Sequence, residues 1–178
     1  IKHFEMSEDG TYAYEKVKVK SDELLDFLYR YSLLCYDWGF KFWGLNCNSD
    51  TMSYRQYSPF STTSYIGGPF QCFLKGNELR YDERLPLKED YDMTLQNMNL
   101  YRGALRLNKY HYVCRQSEQK GGCAMYRNME REKEQFELLR QKWGSNIVRL
   151  DTSNKGQSKK DRKYIYYNPI IKIPIKGI

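Results

Sequence analysis

The sequence predicts a mixed α/β fold. Strand-like and helix-like segments alternate along the chain, the helix-like runs are too long for an all-β domain, and no internal repeat is visible. The pattern suits a mixed-sheet α/β sandwich, with 178 residues enough for a single domain with a real core.

The elements follow in order. Ile1 to Phe4 is short and runs into the polar turn Ser7-Glu8-Asp9-Gly10. Tyr12 to Val19 alternates as a strand, with Tyr12, Tyr14, Val17 and Val19 expected to face inward. Ser21 is placed to cap a helix whose stripe is Leu24, Leu28, Tyr31 and Cys35, and Gly39 ends it. Phe40 to Asn46 is a strand with strong alternation, followed by a polar loop over 47–64. Gly67-Gly68 leads into a buried strand reaching Leu74, and 80–86 is a polar link. A helix is expected from about Asp90 to Leu107, with Gly103 weakening it without ending it. A strand over Asn108 to Cys114 and a glycine-bearing polar loop over 115–124 come next. A charged helix then spans about Asn128 to Trp143, burying Met129, Phe136, Leu139 and Trp143, and Gly144 stops it. Asn146 to Leu150 is a short strand. Residues 155–163 form a basic flexible loop, and Tyr164 to Ile175, with Pro169 and Pro174, suits an edge strand or a wrapping tail.

Composition narrows the function classes. Lys and Arg outnumber Asp and Glu by 29 to 22, giving a net charge of +7, and 17 tyrosines raise the aromatic share to 16 %. A basic, tyrosine-rich surface suits a polyanion, through phosphate attraction and ring stacking; the alternative is that most tyrosines are half-buried strand residues. Five cysteines without a Cys-x-x-Cys pair point to reduced thiols and a cytoplasmic setting. Two histidines exclude a His-rich metal site. No apolar run is long enough to span a membrane, so no membrane partner is expected. The chain opens on Ile1, as a piece of something longer would, and it has no Gly-rich loop of the P-loop or dinucleotide type.

The stretch with most chemistry is Leu87-Lys88-Glu89-Asp90-Tyr91-Asp92. Three carboxylates in four residues open a helix, where Asp90 or Asp92 can cap the first turn and the helix dipole favours negative charge. As chemistry, the same carboxylates form an acidic cluster at the mouth of a sheet, fit to act as general base on an acceptor hydroxyl.

Several pieces in sequence order resemble the catalytic half of the TET-associated glycosyltransferase family of phages. They are Tyr65-Ile66-Gly67-Gly68, Lys88-Glu89-Asp90-Tyr91-Asp92, Asn108-Lys109-Tyr110, Lys120-Gly121-Gly122, Arg127-Asn128 and Lys142-Trp143-Gly144. The resemblance implies the C-terminal half of a GT-A-type nucleotide-sugar transferase, with a nucleotide-sugar donor, a divalent metal (manganese or magnesium) and a DNA acceptor bearing hydroxymethylated pyrimidines. The Asp-x-Asp motif of such folds would lie upstream of Ile1, with the nucleotide-binding half. Under this resemblance Asp92 or Asp90 is the base, and Glu89 orients a neighbour or a sugar hydroxyl. Gly67, Gly68, Lys88, Trp43 and Tyr65 sit around the substrates, with Trp38 as a further pocket candidate. Lys120, Arg127, Lys155, Lys159, Lys160 and Arg162 meet phosphates of donor or DNA, and His111 is a candidate metal ligand. A base within a duplex would have to be flipped out or offered single-stranded.

Two other classes remain. A DNA-binding module without catalysis would use the same basic loop and tyrosines. A metal-dependent nuclease would use Asp82, Glu89, Asp90 and Lys88, but these open a helix rather than lying on adjacent strand positions.

Overall fold

The computed structural model describes residues 1–8, 13–112, 128–152 and 167–174. It is mixed α/β, with parallel and antiparallel strand pairs and three helices among the described residues. None of these helices is long and apolar enough to cross a membrane. The chain sorts into two compact units: Ile1–Leu79 with Met93–Cys114 and Ile175–Ile178, and Arg80–Asp92 with Arg115–Pro174.

The first unit is built on a six-stranded sheet of order β2-β1-β6-β3-β5, with β4 also pairing β6. Its strands are β1 (Lys2–Met6), β2 (Tyr14–Lys18), β3 (Phe42–Asn46), β4 (Phe60–Ser61), β5 (Gln71–Phe73) and β6 (Leu105–His111). The strand β6 is long enough to take two partners on one edge: Phe60 of β4 sits opposite Leu107, and Lys2 of β1 opposite His111. Its other edge runs parallel to β3, with Trp43 opposite Leu105 and Leu45 opposite Leu107. A parallel pair needs a crossover, and helix α2 (Glu89–Tyr101) lies in the connection between β3 and β6.

All five residues of β3 are buried. The expected alternation gives way because β3 is a central strand covered on both faces, where continuous apolar runs are the rule. Trp43 and Leu45 join Leu105 and Leu107 in a core that takes Phe27 and Cys35 from helix α1 (Leu24–Asp37). On the opposite face Gly44 leaves room for the 66–70 segment: a Cβ there would overlap Ile66 Cγ2 and stand 2.7 Å from the Phe70 carbonyl oxygen.

Two helices depart from expectation. In α1 the buried stripe is rotated toward Phe27, whose ring packs against Tyr31, Trp43 and Tyr110. Leu24 is left exposed, and Glu23 stands at the N-cap without a side-chain bond to the first turn, in place of Ser21. The second helix stops at Tyr101, well short of Leu107. Arg102 takes a left-handed φ of 62°, and buried Gly103 lies against the Phe40 ring where a Cβ would overlap it. The helix therefore ends before the glycine, with Arg102 leaving the helical conformation, and Leu105–Leu107 belongs to β6.

The second unit holds the acidic opening turn of α2, helix α3 (Met129–Trp143) and the antiparallel pair β7 (Val148–Leu150) and β8 (Pro169–Ile171). The side chain of Asn128 caps α3 by accepting from the Arg131 N–H at 2.9 Å. Gly144 closes the helix at a φ of 89°, donating to the Arg140 carbonyl. The buried face of α3 carries Phe136 and Leu139 as expected, but also Glu132 and Gln135, while Met129 is 41 % exposed.

Candidate functional site

The opening turn of α2 carries Glu89, Asp90 and Asp92, as its dipole favours. Asp92 does not cap it. Its N–H donates to the Lys88 carbonyl at 3.0 Å, so the residue lies inside the helix and its carboxylate turns into the second unit. There it is sealed from solvent. Trp143 Nε1 donates to Asp92 Oδ1 at 2.7 Å, and Lys142 Nζ donates to Asp92 Oδ2 at 3.0 Å. The same ammonium donates to Asp82 Oδ2 at 2.8 Å, and Asp82 takes a bidentate grip from Arg84 Nε and Nη2 at 2.9 and 2.7 Å. Two carboxylates thus share one lysine, and a guanidinium balances the second of them.

The electrostatics follow. Hydrogen bonds from Arg84 first, then from Lys142, hold the Asp82 carboxyl well below the usual carboxylate range, against the effect of burial. Burial lowers the pKa of Lys142, but its bonds to Asp82 and Asp92 outweigh that and leave it raised. A neighbouring pair supports the same turn: Lys88 Nζ donates to Glu132 Oε2 at 2.5 Å, with the Lys88 side chain 3 % exposed. Lys88 is therefore committed to Glu132, away from solvent. Glu89 and Asp90 are half-buried, and Asp90 Oδ1 accepts from the Tyr91 N–H at 2.8 Å. Of the three carboxylates, these two are the ones a solvent-borne group can reach.

The first unit holds the other expected site residues. Trp43 is a core residue, its indole N–H donating to Ser32 Oγ at 3.1 Å. Tyr65 is half-buried, and its carbonyl accepts from Arg106 Nη1 at 3.3 Å. Gly67 is buried where a Cβ would overlap the Tyr112 hydroxyl, and Gly68 is exposed. His111 is sealed, stacked on Phe4 with ring centroids 4.3 Å apart, and neither ring nitrogen has a hydrogen-bond partner among the described residues. Burial first, then the positive charges of Lys16 and Lys2, push its pKa down to about 4. Among the described residues no three His, Cys, Asp or Glu side chains come together as a metal site. The metal that the resemblance implies has no such ligand set among the described residues. Lys120, Arg127, Lys155, Lys159, Lys160 and Arg162 lie outside the described residues.

Sequence reasoning missed the partners. Glu132, Gln135, Leu139 and Lys142 recur at helical spacing on α3, and a polar pair interleaved with core positions is the signal that would have marked a buried charged face. Arg106 was missed because it was assigned to a helix. On β6 it points away from Leu105 and Leu107 and becomes a buried-side cation.

No family model matches the chain, and the comparisons with curated proteins and with solved structures gave no match either.

Proposed function

We propose that the chain is a nucleotide-sugar-dependent glycosyltransferase that moves a sugar to a hydroxymethylated pyrimidine in DNA. The observation that carries this reading is the acidic opening turn of α2, where Glu89 and Asp90 stay within reach of solvent while Asp92 is anchored beneath them. In this reading Asp90 or Glu89 takes the proton from the acceptor hydroxyl as the sugar carbon is attacked, which is the difficult half of the transfer. Asp92, bound by Trp143 and Lys142, positions the turn rather than meeting the substrate. The net charge of +7 would draw the DNA, and the displaced diphosphate would need cationic groups of the same protein or a metal.

The test is mass spectrometry of nucleosides from hydroxymethylated DNA incubated with the protein, a panel of nucleotide sugars and manganese. A sugar-sized mass gain that disappears in Asp90→Asn or Glu89→Gln supports the reading. No gain from any donor overturns it.

One observation favours a second reading, a DNA-binding module without catalysis. The Asp82–Lys142–Asp92–Trp143 network is internally satisfied, as a structural ion cluster would be. In that case salt-sensitive DNA binding persists with no turnover to lose.

A further inference from the structure

Arg106 is a half-buried charge whose pairing differs from that of the sealed Lys88 and Asp92. Lys88 has Glu132, and Asp92 has Lys142, but no carboxylate among the described residues pairs with the guanidinium of Arg106. Among the described residues it makes two bonds: Nε donates to Asn108 Oδ1 at 2.9 Å, and Nη1 donates to the Tyr65 carbonyl at 3.3 Å. A guanidinium carries five N–H groups in a fixed plane, so the Nη2 edge and one further N–H of Nη1 have no acceptor among the described residues. Both bonds that are made hold the plane in place. Asn108 is itself fixed, its Nδ2 donating to the Ser58 carbonyl at 3.0 Å.

The surroundings match a ligand site. Arg106 is half-buried, and desolvation acts against its charge, with the fields of Cys47 and Tyr112 acting the other way. Cys47 follows the carboxyl end of β3, the strand that runs parallel to β6. Arg106 is the second residue of β6 and stands opposite Gly44 of β3. The hydroxyls of Tyr65 and Tyr112 both converge on Gly67, where a Cβ would overlap the Tyr112 hydroxyl.

We propose that Arg106 anchors an oxyanion-binding site in the first unit, taking a phosphate or carboxylate group of a small ligand on its Nη2 edge, with Asn108 and the Tyr65 carbonyl as the frame that holds the fork. The chemistry is bidentate guanidinium–oxyanion pairing, which a lysine does not reproduce. The proposal is independent of sugar transfer and involves none of the carboxylates of α2.

The experiment uses the wild-type chain and phenylglyoxal, which modifies accessible guanidinium groups, with peptide mass mapping. Inorganic phosphate and acetate are added separately, with sodium chloride at matched ionic strength as control, and Arg30 and Arg149 serve as internal references. At a phosphate concentration about ten times its Kd, labelling of Arg106 slows about tenfold while Arg30 and Arg149 are unchanged. Protection by phosphate alone assigns a phosphate site, and protection by acetate assigns a carboxylate site. Equal labelling of Arg106 with and without both anions overturns the proposal. A second measurement is thermal unfolding of Arg106→Lys. This variant keeps the charge but loses the phosphate-induced rise in Tm that the wild type shows. An equal rise in both proteins also overturns the proposal.

Discussion

Acid should destabilise the first unit through a single buried ring. His111 is sealed against Phe4 and held neutral, with its pKa pushed down to about 4 from an ordinary value of 6.5. The unfolded chain takes up a proton near its ordinary value, and the folded chain does so only near the depressed one. Between the two the unfolded state binds more protons, so stability falls as pH falls. The loss begins near pH 6.5 and is complete below about pH 4. A difference of about 2.5 pKa units corresponds to at most about 3.4 kcal/mol, of which about 2.5 kcal/mol is already lost at about pH 4.5. Carboxylates such as Asp82 and Glu5 also titrate in acid, so the measurement is a difference. Urea unfolding of the wild type and of His111→Leu is followed from about pH 7.5 to pH 4.5, each protein referred to its own neutral value. The wild type should lose about 2.5 kcal/mol more than the variant. Parallel curves for the two proteins would refute the argument, because they would mean that the imidazole titrates alike in both states.

Four further outcomes follow from the packing. Lys142→Met removes the cation shared by Asp82 and Asp92 and should cost about 3–5 kcal/mol by denaturant titration, since Asp92 is sealed. Trp143→Phe, which removes only one donor to Asp92, should cost less, about 1–3 kcal/mol. For the Lys88–Glu132 pair, Lys88→Met alone should be strongly destabilising, and the added Glu132→Leu should recover most of the loss; a double variant no better than the single would show that the pair itself stabilises the unit. Gly44→Ala forces a Cβ onto Ile66 and the Phe70 carbonyl, a backbone group that cannot swing aside, and should lower stability by about 1–3 kcal/mol, read as a fall in Tm.

Much of the fold was legible because its signals are local. Asn128 and Gly144 bracket α3 as their cap chemistry requires, and Tyr14–Lys18 is a strand within the alternating segment that reads as one. The error at Gly103 has a non-local cause. The helix pattern of 90–107 is locally tolerable, and what breaks it is the Phe40 ring from another part of the chain together with the parallel pairing of Leu105–Leu107 to β3. The site was legible to the same degree. The acidic turn was visible as a cluster, but which carboxylate is buried depends on Lys142 and Trp143 on α3, and no spacing within the turn encodes them. Lys88 illustrates the point: beside three acids it looks like a partner for them, yet it is drawn off by Glu132.

The pairing of Lys2 with His111 has a consequence for how the protein is made. At ordinary ribosomal speeds of ~5–20 residues per second, β1 waits roughly 5–20 s for its partner strand to be synthesised. Through that interval the nascent hairpin of β1 and β2 shows an open strand edge, the kind of edge to which stray chains attach. Its register is thick with charge: Lys2 faces Lys18, Phe4 faces Lys16, and Glu5 faces Glu15. The like-charged facing pairs cost the finished hairpin some pairing energy. Their return comes earlier, as a repellent edge that keeps an unfinished sheet solitary until the strand that completes it leaves the ribosome.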